Sequence, residues 1–233
     1  PRSTLFPYTT LFRSGVPCSQ TVVENGSLAF AASVAPPEVI DPVCAALAGS
    51  PTPKRLSLLR ILRALGGTRA LEAVRAASAD ADAGIRDASL RMLCDWPTAD
   101  ALDDLVRLAR DSGDAAVRTL ALRGSIRLAQ RPEVPVAGRL AALTQAMARA
   151  AGDEDRKLAL SALGGFASAE ALALVVPHLA SAGLKEEAAL AAVSIAERLR
   201  PPRPPEVAAA MARVIATTSD KDLAKRARAL SAP

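Results

Sequence analysis

The amino-acid sequence predicts an all-α protein, and three observations lead to this prediction. Alanine and leucine dominate the chain, whereas aromatic residues make up only 3% of it. Alanine, leucine and arginine are among the strongest helix formers. Apolar residues recur at helical spacing, and glycine or proline interrupts that spacing at regular intervals. Finally, one helical unit is repeated along most of the sequence.

The repeated unit is visible as four columns of equivalent residues. The arginines of the first column follow one another at intervals of 31, 32 and 38 residues, and fainter copies begin near Glu186 and Ala224. Intervals of this size are typical of repeats that stack into an α-solenoid. We therefore expect an α-solenoid of about five to six helix pairs. The columns are Arg55, Arg86, Arg118 and Arg156; Ser57, Ala88, Leu120 and Leu158; Leu59, Leu90, Leu122 and Leu160; and Leu65, Trp96, Leu128 and Phe166.

The N-terminal region is expected to lie outside these repeats. Residues 1–14 resemble the translation of a sequencing-library adapter, so we expect a disordered artefact there. Without Arg2 and Arg13 the formal net charge falls from +5 to +3. Residues 15–35 show no sustained helical period, and both a partial repeat and a loose lead-in remain open for them. Because the chain does not begin with methionine, we expect its true N-terminus and any signal peptide to be missing.

Residues 36–233 are predicted to form the helix pairs, each with a first helix A and a second helix B. Glycine or proline ends several B helices, as at Gly66, Pro97 and Gly164. Two proline-rich stretches, 131–135 and 200–205, lengthen the repeat and are expected to be rigid loops. The predicted pairs are 37–48 with 53–65, 68–78 with 82–96, 98–111 with 114–130, 136–150 with 153–164, 168–181 with 184–199, and 204–217 with 220–231.

Aspartates are predicted to cap three B helices. Asp82, Asp114 and Asp153 stand just before these helices, where a carboxylate accepts hydrogen bonds from the free N–H groups of the first turn. Within the second B helix the spacing separates a buried face from a wet one. We expect Trp96 to be buried on the first face, whereas Asp87, Arg91 and Asp95 share the second.

The first arginine column is predicted to be structural. These arginines lie about one turn into each B helix, close to the capping aspartates, where a planar guanidinium can bridge to a carboxylate of its own or the adjacent repeat. The alternative is a ligand-binding column. The expected structural ladder consists of Arg55, Arg86, Arg118, Arg156, Asp82 and Asp114.

A second arginine row is a candidate for partner binding. Arg60, Arg91 and Arg123 follow the first column by five residues, which places them roughly 140° around the helix. Only Arg91 has acidic neighbours at helical spacing, in Asp87 and Asp95. The row could therefore bind an acidic peptide, although a solvated basic face remains the alternative. In either case we expect these side chains to be free of core contacts.

Other site chemistries find little support in the sequence. Cys18, Cys44 and Cys94 lack metal-ligand spacing and His178 has no companion, so no cofactor, metal site or catalytic constellation is expected. The low charge and scarce aromatics argue against nucleic-acid binding. No stretch approaches the roughly 18 apolar residues needed to cross a bilayer. We expect a monomer that binds an unidentified protein.

Three B-helix segments resemble HEAT repeats: DAGIRDASLRML, DAAVRTLALRGSIRLA and DEDRKLALSALGGF. More narrowly, CDWPTADALDDLVRLA and LKEEAALAAVSIAERL resemble a HEAT-like segment of large bacterial proteins, often fused to 3-keto-disaccharide hydrolase-type or c-type cytochrome domains. The resemblance implies that the α-solenoid is right-handed and built of HEAT-like helix pairs. It also implies a non-catalytic interaction scaffold, a fragment of a larger multidomain protein in the periplasm or outside the cell. The alternatives are an accessory domain of a sugar-acting enzyme or a HEAT-like DNA glycosylase or lyase.

Overall fold

A computed structural model describes residues 37–202 and 204–231, all within one compact unit that spans residues 34–233. The regions predicted as an adapter artefact, 1–14, and as a partial repeat or lead-in, 15–35, lie outside the described residues. Every regular element in the described part of the chain is helical. The predicted all-α class is therefore confirmed.

Twelve α-helices follow one another in the described residues, and they match the predicted order of A and B helices. Short 3-10 turns extend two A helices, one before α5 (Ala99–Ala101) and one after α9 (Val176–Ala180). The helices are α1 (Pro37–Ala48), α2 (Thr52–Leu65), α3 (Thr68–Ala77), α4 (Ala83–Cys94), α5 (Leu102–Asp111), α6 (Ala115–Leu128), α7 (Val136–Arg149), α8 (Asp153–Leu163), α9 (Ala169–Val175), α10 (Lys185–Arg198), α11 (Pro205–Thr217) and α12 (Lys221–Ser231).

Packing between these helices is local in sequence. Each odd-numbered A helix packs against the B helix that follows it, and each B helix packs against the B helix of the next pair. The substantial helix contacts of the described residues thus join helices of one pair or of adjacent pairs. The loops at 131–135 and around 200–205 separate α6 from α7 and α10 from α11, as the proline-rich sequence predicts.

Two of the aligned columns form the core between the helices. Trp96, Leu128 and Phe166 of the fourth column are buried, and Leu65 is half-buried. In the third column Leu59, Leu122 and Leu160 are likewise buried. The predicted burial of Trp96 is confirmed, and its indole Nε1 donates hydrogen bonds to Thr98 and Asp100. The repeated large side chains therefore supply equivalent core contacts in successive pairs.

Aspartate caps fix where several B helices begin. Asp82 Oδ1 accepts from the backbone N–H groups of Gly84 and Ile85, and Asp114 caps α6 in the same way. The predicted cap at Asp153 is wrong, because Gly152 is the capping residue and Asp153 is already the first residue of α8. Asp220 caps α12, which the sequence reasoning did not name.

The helices of the described segment are too short or too polar to cross a bilayer. No helix among residues 37–202 and 204–231 combines the length and hydropathy that a membrane span requires. The alanine-rich α10 is instead buried within the protein, since Ala188, Ala192 and Ile195 are fully covered by neighbouring helices.

Candidate interaction surface

The first arginine column forms hydrogen bonds to the turns between A and B helices. Three of its members donate a guanidinium hydrogen bond to the backbone carbonyl six residues earlier, at 2.7, 2.7 and 3.1 Å. These carbonyls lie in the turn that leads from the A helix into the B helix. The bonds run from Arg86 to Asp80, from Arg118 to Ser112 and from Arg156 to Ala150. The column therefore stabilises the same turn in three successive pairs.

Carboxylate bridges occur in this column at only two of the four positions. Arg55 in α2 pairs with Asp80, which precedes α4, and so joins the first two helix pairs. The hydrogen bond from Arg55 holds the pKa of Asp80 below its usual value. Arg156 pairs with Asp153 in its own helix. Among the described residues Arg86 and Arg118 form no ion pair with Asp82 or Asp114, and their guanidinium groups donate to the turn carbonyls of Asp80 and Ser112 instead.

The second arginine row lies on the exposed face of the B helices, but its charges are unequal. Arg91 Nε pairs with Asp87 Oδ2 at 3.0 Å, one turn away in α4. Arg123 Nε pairs with Asp155 Oδ1 at 2.7 Å, which joins α6 to α8. Arg60 has no hydrogen-bond or ion-pair partner among the described residues. All three arginines therefore lie on exposed faces of B helices, and Arg60 is the one whose charge has no acidic partner among the described residues.

Arg123 departs from the expectation that the whole row is free of core contacts, because it pairs with a buried carboxylate on the next B helix. Its partner Asp155 is buried, and a buried carboxylate requires a compensating charge or hydrogen bonds. Replacing Arg123 would leave that carboxylate without its cation. The physical reason lies in stacking: Asp155 on the next B helix comes within reach only when α6 and α8 pack side by side.

Three exposed leucines, which we call the leucine row, occupy equivalent positions on consecutive B helices. Leu120 on α6, Leu158 on α8 and Leu190 on α10 are 37%, 47% and 43% exposed. Each stands six residues after the capping residue of its helix. The helix α8 packs against both α6 and α10, and packed helices lie about 8–10 Å apart. The leucine row therefore runs across three adjacent helices.

Two of these leucines, Leu120 and Leu158, belong to the second column of the sequence repeat, but their exposure was not among the predictions. Leu120 and Leu158 stand two residues before the buried Leu122 and Leu160, a rotation of about 200° around a helix. That rotation places the second column on the side of the helix opposite the buried third column. The sequence therefore contained a signal that the second column is exposed. Leu190 lies in the fainter copy near Glu186, outside the four aligned columns.

Two ion pairs lie beside the leucine row, one next to Leu120 and one next to Leu158. Lys157 Nζ pairs with Glu154 Oε1 at 2.8 Å on α8, next to Leu158. Arg123, one turn from Leu120, is paired with Asp155. The row is thus an apolar strip whose nearest ion pairs carry little net charge. Such a surface favours an apolar partner over a strongly charged one.

Burial shifts the pKa values of two reactive side chains, Cys94 and His178, towards their uncharged forms. Burial raises the pKa of the Cys94 thiol to about 11, so the thiol stays protonated near neutral pH. Burial, and secondarily Arg156, lowers the pKa of His178. Within the described segment, His, Cys, Asp and Glu side chains form no group of three or more that could hold a metal ion.

Comparison of the sequence with protein-family models and with curated protein sequences gives no match to either.

Proposed function

We propose that this protein is a non-catalytic interaction scaffold, built as a right-handed HEAT-like α-solenoid of about five to six helix pairs. The helix contacts support the solenoid, since the substantial ones in the described residues join helices of one pair or of adjacent pairs. The aligned core columns and the repeated hydrogen bonds of the A–B turns support equivalent units. Stacked units place equivalent side chains in rows, and such rows are suited to binding extended partners.

The leucine row is the observation that carries this proposal. Full burial of one leucine side chain contributes about 1.5–3 kcal/mol relative to exposure. Covering the exposed fractions of Leu120, Leu158 and Leu190 would therefore contribute on the order of 2–4 kcal/mol. That contribution is large enough to decide whether a partner binds, because 1.4 kcal/mol corresponds to about a tenfold change in affinity.

The partner that fits this row is an amphipathic helix. Seven residues of an α-helix span about 10 Å, close to the spacing of about 8–10 Å between packed helices. A helix with large apolar residues about seven positions apart can therefore place one residue near each leucine. The ion pairs beside Leu120 and Leu158 favour this partner over the acidic peptide that the arginine row predicts, because Arg123 and Lys157 already have carboxylate partners.

The test compares two triple variants that each remove three exposed apolar side chains. The row variant is Leu120→Gln, Leu158→Gln and Leu190→Gln. The control variant is Val39→Gln, Ile61→Gln and Val136→Gln, whose positions are 45%, 47% and 53% exposed but lie outside the row. Glutamine is a good helix former, so both variants are expected to keep the fold, as far-UV circular dichroism would verify.

Peptides displayed as helices are selected for binding to the wild-type protein, and their affinities for both variants are then measured by calorimetry. We expect the row variant to weaken binding at least about tenfold and the control variant to leave it within about twofold. Equal affinity for the wild type and the row variant would contradict the proposal. A selection that yields no helical binder would contradict it as well.

A further inference from the structure

A cleft of about 500 Å³ opens between two A helices of the described chain, α5 and α7. The 3-10 turn before α5 and the first half of α5 form one wall. Residues 133–135 of the proline-rich loop and the first turns of α7 form the other. This cleft is distinct from the leucine row, which lies on the B helices.

The floor of the cleft is apolar and its charged residues are all acidic. Leu102, Val134 and Ala142 supply buried apolar surface, and Val106 is half-buried beside them. The charged residues that line the cleft are Asp100, Asp103 and Glu133, and no lysine or arginine of the described residues lines it. The cleft is therefore acidic, although the formal net charge of the chain is +5.

Two of the three carboxylates are available to a ligand. Asp100 already accepts hydrogen bonds from the Trp96 indole and from the Thr98 hydroxyl. Asp103 and Glu133 are exposed and have no hydrogen-bond or ion-pair partner in the described part of the chain. An unpaired carboxylate beside apolar surface attracts a cation that also carries an apolar portion.

The loop that forms one wall is held in place by hydrogen bonds to backbone carbonyls. Arg131 donates a guanidinium hydrogen bond to the Pro97 carbonyl at 2.6 Å, across to the preceding pair. Within the loop, the Val134 N–H donates to the Arg131 carbonyl at 3.2 Å. Proline fixes the backbone at Pro132 and Pro135. The extra residues of this repeat therefore build a defined wall with Glu133 on it.

We propose that the cleft binds a basic segment of a partner protein through an arginine or lysine side chain. The methylene stem lies against Val106 and Val134, and the cationic end meets Asp103 and Glu133. Charge complementarity and the apolar floor together select this ligand chemistry, since a long basic side chain joins an apolar stem to a charged tip. The inference goes beyond the proposed function, because it assigns a second surface and a different partner chemistry.

The probe is a fluorescein-labelled hexapeptide of alternating leucine and arginine, titrated at an ionic strength of about 0.15 M. A matched peptide replaces arginine with citrulline, which keeps the shape of the side chain and removes its charge. Fluorescence anisotropy measures binding. Emission of Trp96, the single tryptophan of the chain, gives a second signal because its indole contacts Asp100. Free arginine amide distinguishes binding of a peptide segment from binding of any small cation.

Three variants locate the site. Asp103→Asn with Glu133→Gln neutralises the cleft, and Gly138→Leu fills it with a side chain that a helix tolerates. Asp222→Asn with Glu206→Gln is the matched control, since it changes the net charge equally at exposed positions in the sixth helix pair. We expect the neutralised and the filled variants each to weaken peptide binding about tenfold or more, and the control to change it less than about twofold.

The inference is overturned if the citrulline peptide binds as well as the arginine peptide, or if the control variant loses as much affinity as the neutralised one. Binding of arginine amide as tight as that of the peptide would also overturn it, since no protein segment would then be selected. The leucine-row variant separates this inference from the proposed function. It should keep full affinity for the arginine peptide, and loss of that affinity would assign the peptide to the row.

Discussion

Replacing Gly124 by alanine should destabilise the protein, although the same change usually stabilises a helix. Gly124 lies in α6, where the helix passes the end of α4. A Cβ atom added there would stand 2.5 Å from the Cys94 carbonyl oxygen and 2.8 Å from Leu105 Cδ1. The leucine side chain can rotate away, but the carbonyl belongs to the backbone of α4. Relief therefore requires α6 to move away from α4 by roughly 1 Å.

The expected size of the effect follows from two opposing contributions. Alanine is favoured over glycine inside a helix by about 1 kcal/mol. Overpacking of a close contact costs about 1–3 kcal/mol, and we take about 2–3 kcal/mol here because a rigid carbonyl prevents local relief. We expect a net loss on the order of 1–2 kcal/mol. In Gly138→Ala the new Cβ meets Val134 Cγ1 at an ordinary 3.5 Å, so this control should gain about 0.5–1 kcal/mol.

Thermal unfolding followed by circular dichroism measures both variants. For chains of this size 1 kcal/mol corresponds to about 2–4 °C in the melting temperature, so the two variants should shift it in opposite directions. If Gly124→Ala is as stable as Gly138→Ala, then α4 and α6 do not approach as closely as the contact requires. The close stacking of B helices would then be wrong at this point.

Two further perturbations test the core and the links between pairs. Trp96→Ala removes a fully buried indole and should cost about 3–5 kcal/mol in urea unfolding; a loss below about 1 kcal/mol would show that the ring is not in the core. Glu186 accepts hydrogen bonds from the Thr218 hydroxyl and from the N–H and hydroxyl of Ser219, which lower its pKa to about 2. The pKa of Glu186 in the folded protein lies below the ordinary value of 4.5. Ionised Glu186 therefore contributes its full stabilisation of the fold above pH 4.5, and this contribution is lost as the pH falls towards 2. Glu186→Gln should therefore make stability less dependent on pH in that interval, and parallel curves for variant and wild type would refute the assignment.

The helices and the core were predictable because they depend on local spacing. Glycine, proline and the leucine columns marked the helix pairs, and the structure places the ends of these helices within a few residues of the predicted ones. Trp96 was predictable as a core residue because it continues the apolar spacing of α4. These features need only the period of a helix and the residues that end one.

The partners of individual arginines could not be predicted, since they depend on how neighbouring pairs stack. Arg123 and Asp155 are 32 residues apart, and their pairing follows from the side-by-side packing of α6 and α8. The hydrogen bond from Arg86 to a carbonyl depends on the path of the turn before α4. The acidic cleft likewise needs the loop at 131–135 to face α5, which no spacing in the sequence indicates.

Leucine-methyl NMR tests the central claim most directly, because it observes the three proposed contact residues within the intact protein. The methyl signals of Leu120, Leu158 and Leu190 are assigned from the single leucine-to-glutamine variants, and a selected helical peptide is then titrated. If the row is one binding surface, the signals of all three leucines should shift along the same saturation curve, while those of the buried Leu59 stay in place. Shifts confined to other leucines, or different saturation curves for the three, would contradict the proposal that one partner covers the row.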